Sequence, residues 1–283
     1  DYMVYQFNYD SAQGTYPGKV ETDGKSLIVD GKPITVFQER DPKQIAWAKV
    51  GAVYVAECTG IFTEDFRSNA AKNGKGAEQH LQGGARKVII SAPSKTAPMF
   101  CMNVNTDELS AAQDIISNAS CTTNCLAPVV KVLNDTFGIE YGLMSTVHAV
   151  TATQKTVDSP SKKWRSGRAG YSNIIPASTG AAQAIGKVIK SMNGKLNGMA
   201  FRVPVQNGSV VDLVVMIKRD AVFDDVKNAM KKASEGELRG ILGYTEECIV
   251  SSDIIGIPQS SIFDAQASMM MGKRMVEVIT WYD

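Results

Sequence analysis

The stretch Ser120-Cys121-Thr122-Thr123-Asn124-Cys125-Leu126-Ala127-Pro128-Val129-Val130 decides how the rest of the chain is read. Leu126, Val129, Val130, Leu133 and Phe137 stand at offsets 0, 3, 4, 7 and 11, one face of an amphipathic helix. A small polar residue precedes that run, so Cys121 belongs at or beside the helix N-terminus. Unpaired amides and the helix dipole there favour negative charge on the sulfur. Cys125 falls one turn deeper, among amides already bonded, and reads as an inert packing thiol. Position alone leaves Cys121 balanced between a nucleophile and a buried structural cysteine.

Downstream, Leu143 to Val150 alternates as a strand and puts Met144, Thr146 and His148 on one side. A helix followed directly by a strand packs against it, which turns the imidazole toward the helix start. A histidine beside a thiol stabilises the thiolate and moves protons near neutral pH. The plain alternative is a core histidine bonded to backbone. Only His80 and His148 are available in the whole chain, so other bases are few. A long polar loop, 151–175, follows. Ser178-Thr179-Gly180 then opens a helix with Ala181, Ala182, Ile185, Val188, Ile189 and Met192 inward. Its start offers a phosphate cradle or, more simply, an ordinary cap. Val210–Ile217 and Met275–Trp281 read as strands, and Asp224–Ser234 as a helix closed by Gly236. Arg165 and Arg168 lie in the polar loop. Arg202 sits in an apolar segment and needs a carboxylate or a phosphate, with Asp212 as its structural candidate.

Upstream of Cys121 the texture differs. Ser26–Val29 and Ile34–Phe37 flank Asp30-Gly31 as a hairpin. Ala52–Ala56, Lys87–Ile90 and Asp114–Ile116 are short, nearly continuous apolar runs, the pattern of buried parallel strands. The stretch 63–86 is expected to hold a crossover helix. The fold class is therefore α/β with an α+β catalytic domain. A partial Rossmann-like parallel sheet, 1–120, precedes a mixed and antiparallel sheet with helices, 121–283.

Bulk composition excludes more than it selects. Of 283 residues, 44% are hydrophobic and 21% charged, with a net charge of +1, so nothing demands nucleic acid or a membrane as partner. No apolar run reaches the length of a membrane span, and no secretory leader opens the sequence. The five cysteines (Cys58, Cys101, Cys121, Cys125 and Cys248) are odd in number and scattered, which suits a reduced, cytoplasmic protein without disulfides or zinc.

Five ordered motifs carry a resemblance. Ser117-Asn118-Ala119-Ser120-Cys121-Thr122-Thr123-Asn124-Cys125-Leu126-Ala127-Pro128 resembles the active-site segment of the glyceraldehyde-3-phosphate dehydrogenase family. Thr146-Val147-His148-Ala149-Val150-Thr151-Ala152-Thr153-Gln154-Lys155, Asn173-Ile174-Ile175-Pro176, Ser178-Thr179-Gly180-Ala181-Ala182 and Gly198-Met199-Ala200-Phe201-Arg202-Val203-Pro204 resemble that family too, in order. The likeness implies a glycolytic, phosphorylating dehydrogenase acting on glyceraldehyde 3-phosphate with NAD and inorganic phosphate. It implies Cys121 as nucleophile and His148 as base. Thr151, Thr153 and Arg202 would hold the substrate phosphate, and Ser120, Thr122, Thr179 and Gly180 the attacking phosphate. Thr59, Gly60, Ser91 and Ala92 would contact the cofactor. A cytoplasmic homotetramer follows, with loop 151–175 at subunit contacts. No metal, nucleic acid or membrane is implied.

The departures from the family pattern are also specific. The family's Gly-x-Gly-x-x-Gly turn and ribose-binding acid have no counterpart here, and the family continues past Trp281-Tyr282-Asp283. Losing two such amide contacts to a phosphate is expected to weaken NAD binding roughly 100-fold. Cys58 replaces the usual serine, 64–79 is longer than expected, and Arg168–Tyr171 and Ser268–Met271 differ. Three other readings accompany the dehydrogenase: a non-catalytic scaffold derived from it, an erythrose-4-phosphate dehydrogenase, and a cofactor-free thiol hydrolase.

Overall fold

The computed structural model describes residues 1–67 and 76–283. The chain forms two compact units, one of residues 1–98 with 111–117, the other of 99–110 with 118–283.

The first unit begins with helix α1 (Tyr2–Asn8) and a short hairpin of β1 (Tyr9–Asp10) and β2 (Gly14–Thr15). An antiparallel sheet follows, β3 (Val20–Thr22), β4 (Ser26–Val29) and β5 (Lys32–Thr35). Asp30 and Gly31 turn the chain between β4 and β5 with φ of 49° and 77°, the paired left-handed geometry that tight hairpins require. The hairpin is thus present, but its second strand starts at Lys32, so Phe37 lies outside it. A parallel sheet runs β6 (Tyr54–Glu57), β7 (Lys87–Ile90), β8 (Ile115–Ser117), with Val88, Ile90 and Ile115 in its core. The expectation of full burial fails for β6. Its burial alternates, covering Val55 and Glu57 on one face and leaving Tyr54 70% exposed on the other. Of the crossover expected over 63–86, residues 68–75 lie outside the described residues, and the rest contains helix α2 (Glu78–Gln82).

The second unit is built on α3 (Cys121–Phe137), which joins the expected apolar face into one continuous core. Gly138 (φ 71°) ends the helix and leads at once into β9 (Ile139–His148). Then come β10 (Ile175–Ser178), α4 (Ala181–Val188), β11 (Leu196–Arg202), β12 (Ser209–Ile217), α5 (Phe223–Glu235), β13 (Leu242–Thr245), β14 (Ser261–Met271) and β15 (Met275–Tyr282). The strands form one sheet in the order β10-β11-β9-β12-β15-β14-β13. Pairings β9–β11 and β13–β14 are parallel, the others antiparallel. Alternation along β12 buries Val211, Leu213, Val215 and Ile217 beneath the helices. No strand was expected over Leu196–Arg202, where Gly198 interrupts the apolar pattern. That glycine permits close strand approach: a Cβ there would lie 2.3 Å from the Met144 carbonyl oxygen. The fold is the α/β arrangement anticipated, a parallel sheet followed by a mixed sheet with helices.

Candidate active site

The turn Asn118-Ala119-Ser120 delivers Cys121 to the first position of α3. Ala119 takes φ of 60°, a left-handed conformation uncommon for a residue with a Cβ. Asn124 Nδ2 clamps the turn by donating to the carbonyls of Asn118 (2.7 Å) and Ser120 (3.0 Å). Ser120 is the N-cap, its Oγ accepting from the Thr123 amide at 3.1 Å. The Asn124 amide bonds the Ser120 carbonyl. Among the described residues, the amides of Cys121 and Thr122 are left as the first-turn donors for a ligand.

Cys121 is exposed, and its Sγ stands 3.7 Å from His148 Nε2. Helix start and strand end are brought together as the order of α3 and β9 implied. Cys125, one turn on, is fully buried. Burial pushes its thiol up to about 12, so it packs rather than reacts. The imidazole of His148 is half-buried, and its pKa is lowered from 6.5, first by that burial and further by the charge of Arg202. The neutral, proton-accepting form is therefore favoured. Nδ1 has two neighbours, the Ala149 carbonyl at 2.7 Å and an Arg202 guanidinium nitrogen at 2.6 Å. The two contacts ask opposite things of Nδ1, a proton for the carbonyl and a lone pair for the guanidinium, and the tautomer that donates to the carbonyl is the one that turns the Nε2 lone pair toward the sulfur.

Arg202 corrects one expectation. Asp212 is not its partner. In the parallel register Arg202 lies beside His148, whereas Asp212 lies opposite Ser145 on the other neighbouring strand. Arg202 instead donates to Ala149 O at 3.2 Å, and Asp212 is pushed up by burial and by the carboxylate of Glu277. This leaves the guanidinium without a carboxylate partner among the described residues, which suits an incoming anion. Thr151 and Thr153 follow directly, their hydroxyls 3.2 Å apart, with the Thr151 amide held by Gln154. Thr179 Oγ1 accepts from the Ala181 amide at 3.2 Å, so Thr179 and Gly180 do form the start of α4, which packs against α3. Arg168 is drawn away to Asp158 at 2.7 Å, and Arg165 is exposed in the loop.

Tyr282 was missed in the sequence. Its hydroxyl bridges Thr122 Oγ1 and Thr146 Oγ1, each at 2.8 Å, and its ring meets His148 edge-on at 5.8 Å. It ties the first turn of α3 to β9 two residues before the imidazole. The one sequence signal was an alternating strand ending in a buried tyrosine, and a buried Tyr hydroxyl requires partners. The same bridge means that Thr122, being buried, offers a ligand its amide rather than its hydroxyl.

In the first unit, Thr59 and Gly60 follow β6, and Ser91 and Ala92 follow β7. All four are therefore at carboxyl ends of parallel strands, where open α/β sheets bind nucleotides. Gly60 has φ of 72° and nothing within 4 Å of an added Cβ. The Ser91 amide donates to the Glu57 carbonyl at 3.0 Å. The open space at Gly60 fits part of a dinucleotide.

A family model described as the C-terminal domain of glyceraldehyde 3-phosphate dehydrogenase matches residues 120–283, and one described as its NAD binding domain matches 1–65. The chain is 56% identical over its full length to glyceraldehyde-3-phosphate dehydrogenase 2 of Schizosaccharomyces pombe, covering 82% of that protein. It is 55% identical over its full length to the Danio rerio dehydrogenase, covering 83% of it, and to a cytosolic one from Craterostigma plantagineum, covering 82%.

Proposed function

The chain belongs to the glyceraldehyde-3-phosphate dehydrogenase family, and from that premise we propose its reaction and the part each residue plays. It is an NAD-dependent oxidoreductase that converts glyceraldehyde 3-phosphate and inorganic phosphate to 1,3-bisphosphoglycerate. The observation that carries the reading is the 3.7 Å approach of Cys121 Sγ to His148 Nε2 at a helix N-terminus.

Cys121 attacks the aldehyde carbon to give a hemithioacetal. His148, held neutral by burial, takes the hydroxyl proton at Nε2 as the carbon is oxidised to the thioester. NAD, when bound, supplies the hydride acceptor, and Thr59, Gly60, Ser91 and Ala92 are the residues here that would hold it. Phosphate then attacks the thioester carbonyl, and Cys121 departs as thiolate, which regenerates the enzyme. Covalent capture divides a difficult acyl-phosphate synthesis into two steps. Arg202, Thr151 and Thr153 bind the phosphate group of the substrate. Ser120, Thr122, Thr179 and Gly180 place the attacking phosphate at the N-terminal ends of α3 and α4. The first unit serves the cofactor and the second the chemistry.

The protein acts as a cytoplasmic homotetramer in this reading. Loop 151–175 exposes Val157, Trp164, Tyr171 and Ile174, apolar groups that a subunit contact would cover. Among the described residues no helix is long and apolar enough to cross a membrane. The test is NADH formation by the full-length protein. It should require both the aldehyde and phosphate and fall more than about 10³-fold in Cys121→Ser. Unchanged turnover in that variant would remove the nucleophile from the proposal.

A further inference from the structure

We propose that Glu57 and His80 are positioning residues for the nicotinamide cofactor, forming a buried network that fixes Thr59 and Gly60 at the end of β6. This rests on the reading of those two residues as cofactor contacts. Glu57 is 3% exposed and His80 5%, yet neither takes part in the chemistry at Cys121. A carboxylate so deep in the protein is costly unless donors surround it. Here it has them. His80 Nε2 lies 2.6 Å from one carboxylate oxygen. The other oxygen accepts the Thr59 amide at 2.8 Å and the Thr59 hydroxyl.

The fourth member sets the direction of the chain of bonds. Trp47 Nε1 donates to His80 Nδ1 at 3.2 Å, and an indole nitrogen can only donate. His80 Nδ1 is therefore the acceptor, which leaves the proton on Nε2, aimed at Glu57. Trp47 at 5.9 Å and Phe62 at 6.1 Å flank the imidazole ring. Trp47 donates to His80 and His80 to Glu57, and the same carboxylate accepts from the Thr59 amide and hydroxyl, so donors from both sides converge on Glu57. Glu57 acts on the second cofactor loop as well, since its carbonyl takes the Ser91 amide at 3.0 Å. One buried residue holds both loops, through its side chain on one and its main chain on the other. A carboxylate needed only for packing could be replaced by an apolar group. Holding a polar loop open beside a left-handed Gly60 needs an acceptor.

The tautomer makes the proposal sharp. In Glu57→Gln the new amide group sets a donor against the His80 Nε2 proton if its oxygen keeps Thr59. Moving the imidazole proton to Nδ1 then opposes the indole N–H of Trp47. NAD binding by the full-length protein, followed by calorimetry, should weaken about tenfold in Glu57→Gln. The KM for NAD should rise with it, while alkylation of Cys121 by iodoacetamide without NAD stays within about twofold of wild type. Adding Trp47→Phe removes the opposing N–H and should restore much of the lost affinity, a rescue that a general loss of stability would not give. Nitrogen-15 NMR of the unaltered protein should find the Nε2–H tautomer at His80 and shift its signal when NAD is added. An Nδ1–H tautomer, or NAD affinity unchanged in a folded Glu57→Gln, overturns the proposal and leaves the cofactor reading standing. Failure of the unaltered full-length protein to bind NAD overturns the cofactor reading, and the proposal with it. Should Glu57→Gln not fold, the tautomer and its response to NAD decide the matter.

Discussion

His148 and His80 carry the same side chain in opposite circumstances. His80 is 5% exposed and has both ring nitrogens committed, one to Trp47 and one to Glu57. His148 is half-buried and keeps Nε2 directed at the exposed sulfur of Cys121, while Nδ1 faces the Ala149 carbonyl and the Arg202 guanidinium. The difference teaches what separates a structural imidazole from a reactive one. It is not burial but whether one nitrogen stays uncommitted on the side where a proton must move. Cys121 and Cys125 repeat the lesson one helical turn apart. The first meets solvent and a base, and the second is enclosed beside Thr280 and Ser261 hydroxyls.

The largest effect that would break this contrast is expected at His148. His148→Asn should lower kcat by about 10²–10⁴-fold, the usual worth of a positioned proton acceptor. It should also remove the acid limb of the pH profile. The sign follows from the environment: burial and Arg202 depress the imidazole below its ordinary 6.5, so the neutral base persists as pH falls to that value and is lost only beneath it. A limb centred above 6.5 would contradict the site's electrostatics. Folding shares the sign. A depressed His pKa gives stability that is present above the unfolded value and lost as pH falls through the folded one.

A smaller change is expected for Tyr282→Phe, which deletes the hydroxyl between Thr122 and Thr146. Two buried threonines lose a partner, so stability should drop by about 1–3 kcal/mol, read by denaturant unfolding. Turnover should fall less than in His148→Asn, because the ring that borders His148 remains. An equal loss in both would mean that Tyr282 itself moves a proton. Smallest of all is Cys125→Ala. It should cost on the order of 1 kcal/mol of stability through lost packing, with the rate of Cys121 alkylation unchanged. A large drop in that rate would show the two cysteines coupled.

What the sequence disclosed follows physical range. The apolar face of α3 was legible because its periodicity is local, and so was the hairpin at Asp30-Gly31. Cys121 and His148 were legible as a pair because their elements are consecutive. Tyr282 was not, since its hydroxyl reaches Thr122 across 160 positions of chain. Asp212, the structural alternative for Arg202, failed for a related reason. Sequence proximity suggested Asp212, but parallel pairing of β11 with β9 sets the arginine beside His148. Strand β11 itself was hidden by Gly198, whose missing side chain weakens the pattern and allows the close contact with β9. The full burial expected of β6 holds for one face only, with Val55 and Glu57 buried and Tyr54 and Ala56 exposed.

The central claim is that Cys121 carries the acyl group. The direct measurement is mass mapping of the full-length protein after brief reaction with glyceraldehyde 3-phosphate and NAD in the absence of phosphate. The account predicts an acyl adduct on the peptide containing Cys121 that disappears when phosphate is added. An adduct on Cys58, Cys101, Cys125 or Cys248 instead, or substrate oxidation with no adduct on any cysteine, would contradict it.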